Sequence, residues 1–165
     1  MEKFSYIRYS AVYGLILGFW KVVVLMTNYL DPNLAEVVFV PYLEDIVSIL
    51  IIWFSLYYFK KSWCVTKLTI SRGLKVGLTV SFVGGVVLAI ASYCVMSDLS
   101  YSFAMVSKEK TLLLQSGYSL EEISTSLEMI KTMYTPGVYS LLGLVSMLFL
   151  GLGVSAVSMA FLKDK

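Results

Sequence analysis

Few side chains in this chain could do chemistry. No histidine occurs among the 165 residues, so the commonest general base and metal ligand is missing at the outset. The two cysteines, Cys64 and Cys94, have neither metal nor redox spacing. They also fall on opposite sides of the predicted membrane, which argues against an internal disulfide. The sequence holds no phosphate-binding glycine loop, so no metal or cofactor is expected. What remains is a charge in an unusual place. Lys21 follows Trp20 in the middle of an apolar run from Ser10 to Leu30. An ammonium at the centre of a bilayer costs about 2.5–3.5 kcal/mol even on the lenient insertion scale. Two readings account for it: a substrate or ion site inside a helix bundle, or a lysine that reaches outward to an acid at the membrane rim.

The nearest acids by depth are Glu44 and Asp45, in the first turns of the next apolar run. If Leu30 and Tyr42 lie level, Lys21 is about 13.5 Å down at the helical rise and Asp45 about 4.5 Å down. The gap of about 9 Å at that rise is near the combined reach of the two side chains, and Asp45 is the better partner on reach. No acid lies at midplane depth in any predicted span, so a buried proton relay lacks a second member. That favours the structural reading of Lys21.

Composition determines the setting of this lysine. The chain is 58% hydrophobic and 15% charged, with mean hydropathy +0.80. Soluble domains carry about 25% charged residues. The chain therefore reads as one all-α integral membrane domain over residues 1–165. A net charge of +2 makes no case for nucleic acid. Four spans are expected, at about 10–30, 42–59, 76–96 and 137–162, each near the length that crosses a 30 Å hydrocarbon core. The first is read as a span rather than a signal peptide: it is long, Lys21 interrupts it, and no small-residue cleavage site follows. Asp31-Pro32-Asn33 is a turn signal, and Leu34 to Val40 is a short apolar piece ended by Pro41.

Residues 98–135 form the one long polar stretch and read as an outer hairpin of two amphipathic helices. The first runs from Ser100 to Gln115, with Gly117 suited to its C-terminal cap. Ser119 and Glu122 have capping-box spacing and start the second. Along it Leu120, Ile123, Leu127, Ile130 and Tyr134 form one apolar stripe. That stripe could cap the bundle, lie on the membrane surface or bind a partner, and capping is favoured.

The helix that forms the third span, with Lys67, Arg72 and Lys75 in its first turns, carries Gly73, Gly77, Ser81, Gly85 and Ala89, an uninterrupted row of small residues four apart on one helix face. Close backbone approach along such a row drives helix association in lipid. The row is either an intramolecular seam or a dimer face. With three other helices needing partners the seam is favoured, and Gly14 with Gly18, or Gly151 with Ser155, offer matching faces.

Of the thirteen lysines and arginines, nine fall on the side of the termini, three fall in the hairpin and Lys21 lies in the membrane. This asymmetry predicts cytoplasmic termini and an outward-facing hairpin. The cluster Lys60, Lys61, Lys67, Arg72 and Lys75 could hold anionic lipid head groups or a cytoplasmic partner, or it could act as a topology determinant only.

Leu68-Thr69-Ile70 with Gly73 and Gly77, the phrase Gly117-Tyr118-Ser119-Leu120-Glu121-Glu122-Ile123, and the glycine-bearing last span ending in lysines carry a resemblance. In these features the chain resembles the bacterial membrane family known as domain of unknown function 4199, found mainly in Bacteroidetes. The likeness covers nearly the whole chain. It implies a four-helix inner-membrane protein and brings no activity, substrate or catalytic residues with it. The expected function is therefore a structural or accessory membrane subunit, in contact with membrane lipid and with other membrane proteins or further copies of itself. The alternative is a small oligomeric transporter or channel with Lys21 in its pathway. An enzyme is not expected.

Overall fold

A computed structural model describes residues 2–31, 39–63 and 68–162. The expected turn at Pro32, Cys64, Lys67 and the lysines at 163 and 165 lie outside the described residues. Six helices follow in order: α1 (Glu2–Leu30), α2 (Phe39–Trp63), α3 (Ile70–Met96), α4 (Leu99–Gln115), α5 (Leu120–Met133) and α6 (Pro136–Leu162). Among the described residues α1, α2, α3 and α6 are long and apolar enough to cross a membrane. The protein is an all-helical, multi-pass membrane protein with a helical hairpin, α4–α5, between its third and fourth spans.

Local chemistry determines where the helices begin and end. Thr69 caps α3, its side chain accepting from the Arg72 backbone N–H at 3.4 Å, so this helix starts a turn and a half before the expected span. Pro41, expected to end a separate apolar piece, instead lies in the first turn of α2. A proline there lacks an N–H that would have had no intrahelical partner anyway. Pro136 likewise opens α6. Asp98 caps α4 by accepting from the Ser100 N–H at 3.0 Å. At the tip of the hairpin Gly117 adopts φ +85°, the left-handed conformation that glycine alone enters at no steric cost. The Tyr118 N–H then reaches back to the Leu113 carbonyl and the Gly117 N–H to the Leu114 carbonyl, closing a Schellman cap. Ser119 and Glu122 satisfy each other in a full capping box at the start of α5.

Helix α3 is the centre of the bundle, and its most extensive contacts are with α1 and α6. The small-residue row lies against α6. A Cβ on Gly73 would overlap Met159, one on Gly77 would overlap Ser155, and one on Gly151 would overlap Ser81. A Cβ on Gly85 would stand 2.8 Å from Leu144 Cδ1. Ser81 and Ser155 therefore each fill the hollow left by a glycine on the opposite helix. Gly14 and Gly18 of α1 use a different face of α3. Their absent Cβ atoms would stand 2.6 Å from Val83 Cβ and 2.7 Å from Val87 Cβ, and a Cβ on Gly84 would approach the Gly14 carbonyl at 3.1 Å. Two helices dock on α3, so two faces must be smooth. Gly84, next to Gly85 and about 100° around the helix, supplies the second. Val80, off the small-residue row, is also fully buried.

The core between these helices contains Leu17, Ile52, Leu56, Val76, Val80 and Met147. Buried serines bond back into their own helices, as from Ser10 Oγ to the Tyr6 carbonyl at 2.8 Å and from Ser55 Oγ to the Ile52 carbonyl at 2.7 Å. Lipid offers no hydrogen-bond partner, so such internal bonding lowers the cost of these hydroxyls. Phe19, Phe149 and Phe161 face outward and are exposed, as lipid-facing positions should be. In the hairpin Ile123 is buried and Leu127 and Ile130 are half-buried. The stripe was expected to cap the bundle, yet it is chiefly α4 that covers it, and contacts of α5 with α6 are slight. Ser102 Oγ donates to the Tyr134 carbonyl at 3.1 Å, and Tyr134 Oη donates to Glu109 Oε1 at 3.0 Å, which fasten the two arms together.

Candidate functional site

The intramembrane charge is positioned by the register of α1 against α2. Tyr9 Oη donates to the Ser55 carbonyl at 2.9 Å, and Trp20 Nε1 donates to the Glu44 carbonyl at 3.3 Å. In this antiparallel pair the facing residue numbers sum to 64 in both places. Placing Leu30 level with Tyr42 implied a sum of 72. The true register is shifted by about eight residues, or about 12 Å at the helical rise. The shift brings Glu44 level with Lys21 and removes the gap that a long outward reach would have had to cross.

Lys21 Nζ lies 2.7 Å from Glu44 Oε1 and 3.8 Å from Asp45 Oδ1. Glu44, rather than Asp45, is therefore the partner. The two acids are adjacent in sequence and about 100° apart around the helix, so only one can face α1. The Lys21 side chain is 9% exposed and that of Glu44 28%, whereas Asp45 is 67% exposed. A bond of this length between two ionised groups is a charge-assisted hydrogen bond, stronger than a neutral one. The backbone of Glu44 is held as well, since its carbonyl also accepts from Ser48 Oγ at 2.7 Å. Tyr139 of α6 stands within electrostatic range of the same carboxylate. The seating of Gly14 against Val83 and of Gly18 against Val87 puts Lys21 level with about residue 90 of α3, roughly 9 Å below the end of that helix. The pair lies inside the apolar length of the bundle.

At the hairpin end a second polar group ties α1 to α4. Tyr29 Oη donates to Asp98 Oδ2 at 2.7 Å, and the Tyr29 and Tyr101 rings meet edge to face at 4.9 Å. Bonds from the Ser100 side chain and from Tyr29 hold the Asp98 carboxyl below the usual carboxylate range. Burial, with Tyr139 and Tyr29 nearby, pushes the Tyr101 phenol up to about 12. Burial, followed by the Glu109 charge, raises Tyr134. No local signal points to this cluster, because a tyrosine at a helix end reads equally well as an interfacial residue.

The remaining candidates are dispersed. Gly73, Gly77, Ser81 and Gly85 face α6, and Ala89 is half-buried. Ser81 Oγ and Ser155 Oγ are buried without a hydrogen-bond partner. Lys60, Lys61, Arg72 and Lys75 all sit at the end of the bundle that carries the termini, opposite the hairpin. Lys60 Nζ donates to the Leu162 carbonyl at 2.8 Å, while Lys61, Arg72 and Lys75 are exposed. Among the described residues no group of three or more cysteines and acids is placed to hold a metal ion.

A family model described as protein of unknown function (DUF4199) matches residues 8–164. The chain belongs to that family. No curated protein and no solved structure matches it significantly.

Proposed function

We propose that this member of a family of unknown function is a structural or accessory subunit of a membrane assembly, with no enzymatic activity of its own. The observation that supports this most is the use made of Lys21. Its ammonium is turned into the protein, bonded to Glu44 and nearly shut off from the surroundings. A lysine that handles substrate must release its partner when the ligand arrives. Here the partner's own backbone is fixed by Trp20 and Ser48, so the pair serves to pin α1 to α2. The proposed setting is a bacterial inner membrane, as the family resemblance implies, with both termini in the cytoplasm, an orientation supported by the nine-to-three distribution of lysines and arginines.

Purification from native cells in mild detergent, with mass spectrometry of the product, tests this reading. A second membrane protein at fixed stoichiometry is the expected result. A small oligomeric transporter is the second reading, favoured by Asp45, an exposed acid 3.8 Å from Nζ that offers the lysine another partner. Ion flux through vesicles holding the purified protein alone, abolished by Lys21→Leu, would replace the first reading with the second. A reporter fused after Lys165 should be active in the cytoplasm, and activity outside would reverse the orientation.

A further inference from the structure

Between α2 and α6, on the lipid-facing side, runs an open cleft with a cavity volume of about 550 Å³. Its walls are Ile49 and Trp53 of α2 and Phe149, Gly153, Val157 and Phe161 of α6. From Phe149 to Phe161 it extends about 18 Å at the helical rise. That is close to one leaflet, half of a hydrocarbon core about 30 Å thick.

Three features of this cleft point to the same occupant. The first is Gly153. A Cβ there would meet nothing within 4 Å, whereas one on Gly151, two residues earlier, would overlap Ser81. Glycine inside a helix carries a stability cost relative to alanine. The protein itself gives no steric reason to accept that cost at 153, so the smallness keeps the cleft open. The second is the ridge Ile49, Trp53, Tyr57 and Lys61, each four residues on from the last and so on one face of α2. It passes from aliphatic to aromatic to cationic toward the end with the termini. Tyr57 stacks on Trp53 with ring centroids 5.5 Å apart, which continues the wall to the level where amphipathic rings meet head groups. The third is charge. Lys60 Nζ is held over the end of α6 by its bond to the Leu162 carbonyl, and Lys61 stands exposed beside it. Two lysines therefore lie just beyond the cavity's lining, at the end of α2 that flanks an apolar slot about one acyl chain long.

We propose that the α2–α6 cleft binds an anionic phospholipid, with one acyl chain along Trp53 and Gly153 and the phosphate at Lys60 and Lys61. Clustered lysines at a membrane surface attract such lipids.

The experiment uses the full chain in phosphatidylcholine vesicles containing a small fraction of lipid brominated on its acyl chain. Bromine quenches a tryptophan that it touches. The signal from Trp53 is the difference between the wild type and Trp53→Phe. Brominated phosphatidylglycerol should quench that component several-fold more than brominated phosphatidylcholine. Lys60→Gln with Lys61→Gln should bring the two lipids to the same level. Gly153→Leu should plug the cleft and abolish the preference while thermal unfolding stays unchanged, which separates loss of lipid from loss of fold. Equal quenching by the two lipids in the wild type would overturn the proposal, as would a preference that survives Gly153→Leu. Efficient disulfide dimerisation of Gly153→Cys in vesicles would also overturn it, because a second copy would then fill the cleft.

Discussion

Replacing Glu44 by leucine leaves the Lys21 ammonium inside the bundle without its partner. Removing one member of a buried ion pair typically costs about 3–5 kcal/mol. Asp45 lies 3.8 Å from Nζ and can take over part of the role, so the loss should fall near the lower end, about 3 kcal/mol. Lys21→Leu strands a carboxylate that is 28% exposed and partly solvated, so about 2 kcal/mol is expected. If the two changes were independent, the double variant would lose about 5 kcal/mol. With both charges gone the site holds two leucines in an apolar setting, and the loss should shrink to about 2 kcal/mol, a coupling of about 3 kcal/mol. Asp45→Leu alone should cost under about 1 kcal/mol, as for an exposed pair of poor geometry. Reversible unfolding of the wild type and the four variants in mixed micelles measures all of these values. Strict additivity would refute the pinning role of the pair, and so would an Asp45 variant as damaged as the Glu44 variant.

Other expectations follow from the packing and the caps. Gly77→Leu should destabilise strongly, Val80→Leu by the roughly 1–3 kcal/mol of overpacking in a closed core, and Gly153→Leu hardly at all; equal melting temperatures for the three in detergent would contradict the α3–α6 seam. Gly117→Ala should cost about 1 kcal/mol through its left-handed backbone alone, since a Cβ there meets nothing within 4 Å, and an unchanged melting temperature would remove the cap from the account. Tyr29→Phe should raise the depressed pKa of Asp98 toward its ordinary value. Because that pKa is lowered on folding, its stabilising effect is present above the unfolded pKa and lost as pH falls through the folded one. The variant should therefore lose less stability than the wild type on acidification, and its loss should be complete at a higher pH; identical acid-side profiles would argue against the bond. Amide exchange should be slow at Ile123, Leu127 and Ile130, where α4 covers α5, and fast exchange throughout 120–133 would mean that the hairpin is not folded.

The spans were legible because lipid asks for long apolar runs, and the hairpin caps because Gly117, Ser119 and Glu122 act locally. The partner of Lys21 was not legible. Its identity depends on how far α2 slides along α1, which is decided by tertiary contacts such as Tyr9 against Ser55 and not by any local propensity. A slide of eight residues changes depth by about 12 Å, and a choice between neighbouring acids turns on 100° of rotation that depth alone cannot supply. The second smooth face of α3 was hidden for a related reason. Gly84 lies one step off the conspicuous row, and only the docking of α1 shows that it matters. The cleft at Gly153 could not be foreseen either, since a glycine that admits a ligand and one that admits a helix look alike in sequence.

The exchange of serine for glycine across α3 and α6 has a mechanical consequence. Gly77 and Ser81 on one helix meet Ser155 and Gly151 on the other. Slide α6 by one turn in one direction and Ser81 faces Ser155, two side chains contending for one space. Slide it a turn the other way and Gly77 faces Gly151, leaving a void in the middle of the bundle. The seam behaves as a notched rail with a single stop. Piston-like travel of α6 along α3 is barred, and of the four long helices α2 is the one packed least extensively against its neighbours.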